Sequence, residues 1–167
     1  MKTLVIYSSK YGCAADCAEY LKTKLSGDIT LIDAGKTTEK VELAQFGTII
    51  IGGSVYVGKV SKKLRKFCED NVDILTKKKV GIFLCCALSE QANEFLTANF
   101  PPDLLKNTVT TKVFGSEARL ERMTFLDKMI IKVFTKGDYS KFKISYENME
   151  EFALEIGQDG AYDNNSK

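Results

Sequence analysis

The residues best suited to chemistry stand in the turn Ser8-Ser9-Lys10-Tyr11-Gly12-Cys13. It lies between the apolar run Leu4-Val5-Ile6-Tyr7 and a helical segment opening Ala14-Ala15-Asp16-Cys17-Ala18. A buried strand that turns into a helix aims free backbone N–H groups, and the positive end of the helix dipole, at whatever fills the turn; an anion is the natural occupant. Ser8 and Ser9 add hydroxyl donors, Lys10 a positive charge, and Gly12 a backbone that can wrap closely around a ligand. The turn has neither the three spaced glycines of a dinucleotide site nor the Gly-Lys-Ser/Thr ending of a nucleotide P-loop. It reads as a phosphate site of another kind, with an ordinary β–α turn and a solvated lysine as the bland alternative. A second loop, Gly52-Gly53-Ser54-Val55-Tyr56-Val57-Gly58-Lys59, follows another apolar run and holds Tyr56 between glycines, where its ring can meet a flat ligand.

The remaining reactive side chains narrow the chemistry. No histidine occurs, which removes the usual catalytic base and the commonest metal ligand and argues against Cys-His or Ser-His hydrolysis and against a zinc site. The five cysteines, Cys13, Cys17, Cys68, Cys85 and Cys86, are odd in number and lack paired metal-ligand spacing, so reduced thiols and no metal are expected. Cys13, at a helix start, is expected to have a lowered pKa. Cys85 and Cys86 point to opposite faces of a strand and read as small apolar residues. No side chain stands out as an acid or base, so the chemistry is expected to belong to a bound cofactor.

Both loops need a strand before them and a helix behind them. With 167 residues, 44% apolar and 28% charged, the chain suits one domain with a self-sufficient core. Ala14, Ala18, Leu21 and Leu25 recur at helical spacing and Ser26-Gly27 supplies a stop, predicting a helix over 13–26. Continuous apolar runs at 29–32, 48–51 and 80–86 predict strands of a parallel sheet buried on both faces, and 108–114 predicts a fifth, closing at Gly115. Further helices carry Val60, Leu64, Phe67 and Cys68, then Ala92, Phe95 and Leu96, the latter stopped by Pro101-Pro102. A segment beginning near Leu120 bears the stripe Leu126, Met129, Ile130, Val133 and Phe134; the last helix bears Met149, Phe152, Ala153 and Ile156, and 158–167 reads as a flexible polar tail. The alternation predicts an α/β, doubly wound, five-stranded parallel sheet with helices on both faces. Ligands of such sheets sit beyond the carboxyl ends of the strands, where strand order reverses. In the order 2-1-3-4-5 that point lies between strands one and three, so the two glycine-bounded loops become neighbours.

These pieces resemble the flavodoxin family, most closely its flavodoxin-like menaquinone-dependent protoporphyrinogen dehydrogenase branch, over nearly the whole chain. Besides the two loops, the resemblance rests on Phe125-Leu126-Asp127-Lys128-Met129-Ile130-Ile131-Lys132, followed by Gly137-Asp138 and the last helix. That inserted segment, about 117–143 within a domain of residues 1–157, is absent from short electron-carrier flavodoxins. The resemblance implies FMN. Its phosphate would be held by Ser8, Ser9, Lys10, Tyr11, Gly12 and Cys13. Its ring would meet Ser54, Val55, Tyr56, Val57 and Gly58 on one side and Cys86, Ala87 and Leu88 on the other, with Gly115 and Ser116 at the border. The chain departs from the family in having Lys10 and Cys13 where the phosphate loop usually carries threonines, and Ala87-Leu88 where an aromatic is common. The implied activity is FMN-dependent oxidation of protoporphyrinogen IX or a similar reduced substrate with a quinone as acceptor. The alternative is a non-enzymatic flavodoxin carrying electrons between redox protein partners.

Charge is unevenly placed. From residue 119 to 143 there are seven basic and three acidic residues; from 147 to 167, six acidic and one basic. Lys128, Lys132 and Lys136 form an i, i+4, i+8 line beside the apolar stripe, with Lys128 and Lys132 the candidates for steering an anionic substrate such as a porphyrin. A basic amphipathic segment can also lie on an anionic membrane, or can simply join the core. The net charge of +2 and the lack of an RNA-reading motif give no reason to expect nucleic acid. With no secretory signal and no long apolar span, the expectation is a soluble cytoplasmic protein, able to touch the inner membrane face through the insert.

Overall fold

Strands rich in Ile, Val and Leu bury both faces only if helices cover both. In the computed structural model, which describes residues 2–37 and 41–158, they do. Strands β1 (Lys2–Ser8), β2 (Asp28–Asp33), β3 (Thr48–Ser54), β4 (Lys79–Cys85) and β5 (Thr108–Gly115) form one sheet in the order β2-β1-β3-β4-β5, with every pairing parallel. Helices α1 (Cys13–Lys24), α2 (Lys62–Asp70), α3 (Val72–Leu75), α4 (Ala92–Asn99), α5 (Pro102–Lys106), α6 (Phe125–Thr135) and α7 (Tyr146–Gly157) complete the described elements, with single 3-10 turns at Leu43–Gln45, Ser89–Gln91 and Leu120–Arg122. The predicted tail lies outside the described residues from 159 onward. Among the described residues, no helix is long and apolar enough to cross a membrane.

The twofold periodicity of the strands divides the core. Leu4, Ile6, Ile49, Ile51, Val80 and Ile82 face Leu64 and Cys68 of α2, Leu75 of α3, Leu96 of α4 and Leu104 of α5. The alternate residues, Val5, Ile50, Phe83 and Phe114, face Ala14, Cys17, Ala18 and Leu21 of α1 and Met149, Phe152 and Ile156 of α7. Phe83 and Phe114 stack at 4.6 Å between centroids, and Phe152 meets both edge-on.

Three boundaries differ from expectation for physical reasons. Strand β3 runs through Gly52 and Gly53 to Ser54, so these glycines belong to the sheet and not to the loop. A Cβ on Gly52 would lie 2.0 Å from Phe83 Cζ, and one on Gly53 2.8 Å from Val60 Cγ1; neighbouring side chains take the space a side chain would need. Pro101-Pro102 ends α4 but also starts α5, because proline suits the first helical turn, where its missing N–H costs nothing. The stripe on α6 does not join the core: Leu126 and Val133 are 70% and 73% exposed, with Met129 and Phe134 also open to solvent.

The Gly52–Phe83 contact sets a stability prediction. Because Phe83 is wedged by Phe114 and Phe152, Gly52→Ala is expected to lower stability by about 2–3 kcal/mol through overpacking. The readout is a lower denaturant midpoint with an unchanged slope.

Candidate functional site

The carboxyl ends of β1, β3 and β4 deliver three loops to one edge. The first closes on itself, Gly12 N–H donating to Ser9 Oγ at 3.0 Å, and enters α1 through Gly12 at φ +97°. No side chain caps α1, so the N–H groups of its first turn point out unclaimed by any cap. Two guanidinium groups stand over this turn. Nη1 of Arg119 and of Arg122 would lie 2.6 and 2.7 Å from a Cβ on Gly12, and each reaches the Tyr11 carbonyl at 3.5 Å. Only glycine fits there, for space and backbone alike. Asp16 and Glu117 hold Arg119 at 2.5 and 2.6 Å. A concavity of about 350 Å³ opens beside the turn, bordered by Ser9, Lys10, Tyr11, Gly12, Ala15, Asp33, Lys36 and Arg122. Three cations around exposed helix N–H groups suit a phosphoryl group.

The second loop is a tight turn whose tip, Val57-Gly58, has both residues at positive φ, +48° and +74°. Tyr56 and Lys59 exchange backbone hydrogen bonds at 2.8 and 3.0 Å, and Asn99 braces the turn by donating to the Gly58 carbonyl at 2.9 Å and accepting from Val60 N–H at 3.0 Å. The turn fixes Tyr56 where it faces the insert. Asp127 of α6, only 6% exposed, accepts hydrogen bonds from the hydroxyls of Tyr11 and Tyr56 and pairs with Lys10 Nζ at 2.9 Å. Lys10 Nζ also lies 3.5 Å from the centre of the Tyr56 ring. One carboxylate thus ties α6 to both loops. Thr124 caps α6 by accepting from Asp127 N–H at 3.2 Å, which orients this first turn.

Between the loops and the insert lies a cavity of about 430 Å³. The expected residues on its walls are Lys10, Tyr11, Cys13, Ser54, Val55, Tyr56, Val57, Gly58, Cys86, Ala87 and Leu88. Ser9 and Gly12 border the smaller concavity. Ser8 is buried at the end of β1 and lines neither space. Gly115, at φ +81°, sits against the Lys143 carbonyl and bridges to Ile144, while Ser116 reaches the wall. Lys128 and Lys132 lie off both cavities, and Lys136 and Lys141 line the larger one instead. The insert adds Met123, Ile130, Ile131 and Phe134 to the wall, and α4 adds Phe95. Apolar side chains from outside the third loop therefore stand where Ala87-Leu88 offers no aromatic. Burial pushes the Cys86 thiol up to about 11.

Sequence reasoning did not single out Asp127, Arg119 or Arg122 for the site. The first had a signal: Thr124-x-x-Asp127 is helix-start spacing, and Asp127 is one of few acids in a basic segment. The arginines had none, since nothing local states that a segment beyond β5 folds back over the turn after β1.

A flavodoxin-domain family model matches residues 4–145. The chain belongs to the flavodoxin-domain family. No curated protein matches it by sequence. Oxidised flavodoxin 1 from Bacillus cereus is similar in structure at 18% identity and TM-score 0.56, covering 93% of this chain and 97% of that one. A flavoprotein from Lactobacillus acidophilus in complex with FMN aligns at 16% identity and TM-score 0.52, over 67% of this chain and 92% of its own. A rubredoxin oxygen:oxidoreductase from Desulfovibrio gigas aligns at 13% identity and TM-score 0.48 over 94% of this chain, which spans only 37% of that longer one.

The cofactor of this flavodoxin domain is FMN. The residues present fit it: the uncapped α1 terminus and its cations suit the phosphate, and Ser54 Oγ is buried on the cavity wall with no hydrogen-bond partner, a polar group awaiting one from a ligand. Arg122→Gln is expected to weaken FMN about tenfold, the ~1.5 kcal/mol of a charge-assisted hydrogen bond, and to leave riboflavin, which lacks the phosphate, unchanged. Fluorescence titration of the flavin-free chain with both ligands measures the difference.

Proposed function

We propose that the protein is an FMN-dependent oxidoreductase whose insert roofs a substrate space beside the flavin. The substrate is a reduced ring compound with an apolar body and peripheral carboxylates, protoporphyrinogen IX or a similar molecule, and the electron acceptor is a quinone. The observation that carries this reading is the roof itself: Ile130, Ile131 and Phe134 of α6 complete the cavity, with Lys136 and Lys141 among its lining residues. An apolar wall bearing the Lys10, Lys136 and Lys141 ammonium groups, with Glu117 and Asp138 as its acids, suits a flat apolar ring with anionic arms. Bound FMN supplies the redox chemistry. The chain's residues would position and enclose it: Ser9, Lys10, Gly12 and Cys13 with Arg119 and Arg122 would hold the phosphate end, and Val55, Tyr56, Cys86, Ala87 and Leu88 would line the ring space. The Asp127 carboxylate keeps the roof closed on both loops.

A simple carrier needs its flavin edge open to a docking protein, whereas here α6 adds Ile130, Ile131 and Phe134 to the wall of the cavity that would hold the ring. The insert's outer face serves a second contact. Phe125, Leu126, Met129 and Val133 are exposed among Lys128 and Lys132, a pattern that suits peripheral attachment to an anionic membrane surface, where quinones reside.

The purified chain is expected to be yellow, to release FMN on denaturation, and to reduce a quinone when given protoporphyrinogen. Lys136→Gln with Lys141→Gln should raise KM with kcat little changed, since these charges bind carboxylates before and during the reaction alike. Electron transfer from a reductase to a protein acceptor, without porphyrinogen-dependent quinone reduction, would establish the carrier instead.

Flotation with vesicles containing phosphatidylserine tests the outer face separately. Lys128→Gln with Lys132→Gln should cut binding by about thirtyfold, at ~1 kcal/mol per lysine. Equal recovery of the variant and the parent chain removes the membrane contact.

A further inference from the structure

Beneath the cofactor turn lies a cluster of which the redox reading uses only Cys13. The Sγ atoms of Cys13, Cys17 and Cys85 all lie within 4.8 Å of one another, and all three residues are buried. We propose that these three thiols form a binding site for a soft, three-coordinate metal ion of the Cu(I) class.

The spacing of the sulfurs carries the proposal first. Three thiolates around one ion at bond lengths of about 2.3 Å sit roughly 4 Å apart in a trigonal plane. The Cys17–Cys85 pair is at 3.7 Å and the third sulfur lies within 4.8 Å of both, so small side-chain rotations bring the three to the spacing an ion needs. The supports are rigid. Cys13 and Cys17 are one turn apart on α1, and Cys85 closes β4, in register with Ser54 of β3.

The surroundings select the ion. Among the described residues no carboxylate completes the group, and the chain has no histidine, so the protein offers three sulfurs and no fourth ligand. Structural zinc asks for four, whereas thiolates with a low coordination number favour Cu(I). The sulfurs share an apolar cluster with Ala14, Ala18, Ile50 and Phe114, which excludes water from the site.

Charge and access agree with this. Cys13 is lowered to about 3, chiefly by hydrogen bonding from Cys17 and Cys85, with the Arg119 charge also contributing; Cys17 and Cys85 are raised. Ion binding displaces the proton of each sulfur that is still a thiol to solvent. The excess negative charge faces Arg119 and the positive end of α1. Cys13 is also on the wall of the large cavity, which gives the ion a path in.

The test uses the full chain, reduced and free of oxygen, titrated with Cu(I) in the presence of a competing chromogenic chelator. Retained copper is measured after gel filtration, and copper-edge X-ray absorption counts the ligands. One copper per chain with three sulfur neighbours at about 2.3 Å is expected. Cys17→Ser and Cys85→Ser should each weaken retention roughly tenfold or more, while Cys68→Ser, in the opposite core, retains the ion. Failure of the unaltered chain to hold copper, fewer than three sulfur neighbours, or full retention by the folded double variant Cys17→Ser/Cys85→Ser overturns the proposal. A preference for Zn(II) over Cu(I) overturns it as well. The absorption measurement needs no variant, so it stands if a substitution fails to fold; it is made on the chain with and without flavin, because Cys13 borders the cofactor space, and three sulfur neighbours in either form sustain the proposal.

Discussion

One buried carboxylate decides how this edge of the sheet is built. A charge removed from water costs several kcal/mol unless partners meet it, and Asp127 is met by a lysine and two phenols that belong to two different loops. The loops themselves are anchored by β1 and β3, adjacent in the sheet, so the carboxylate has one place to go. Helix α6 follows its Asp127, and the position of α6 settles which apolar side chains look into the cavity and which look out. A stripe whose periodicity left both the core and an outer surface open is split in this way. Ile130, Ile131 and Phe134 reach the cavity wall, while Phe125, Leu126, Met129 and Val133 are left to solvent.

The phosphate end follows a different principle from the one the family pattern suggests. Lys10 and Cys13 replace hydroxyl-bearing residues in the first turn, and the lost donors are offset by charge brought from far along the chain. Arg119 and Arg122 close over Gly12 so tightly that a single methyl group there would collide with both. Lys10 does not act there alone, since its ammonium is shared with Asp127 and the face of Tyr56. The insert therefore reaches both the first turn, through Arg119 and Arg122, and the wall of the larger cavity, through Ile130, Ile131 and Phe134.

The sheet was legible because a continuous apolar run such as Thr48-Ile49-Ile50-Ile51 has few other fates in a chain that alternates strand and helix, and the order 2-1-3-4-5, once taken, made the two loops neighbours. Gly52 and Gly53 were read as loop because local propensity favours it; the answer lay in Phe83 and Val60, which take their side-chain space from a distance. Most loop residues expected near the cofactor line a cavity, since loop position after a strand fixes them. Lys128 and Lys132 do not, because their role was inferred from charge and spacing on a helix whose rotation only Asp127 determines. The sulfur cluster was hidden for a similar reason. Two of its members are four residues apart, but the third comes from a strand 68 residues beyond Cys17, and an odd count of cysteines in irregular spacing gives no hint of convergence.

The brace at Asn99 has an implication for where this molecule can bend. Its side-chain amide spans the base of the Val57-Gly58 tip, joining the Gly58 carbonyl, the Val60 N–H and the Phe95 carbonyl of its own helix. The tip is thereby bolted to α4, the helix that also supplies Phe95 to the wall, so the two move as one piece. On the opposite side the insert is held by charges instead, Asp127 on the two loops, Arg119 on Asp16 and Lys141 on Glu90, so one wall of the cavity is pinned through backbone groups and the other through side-chain ion pairs.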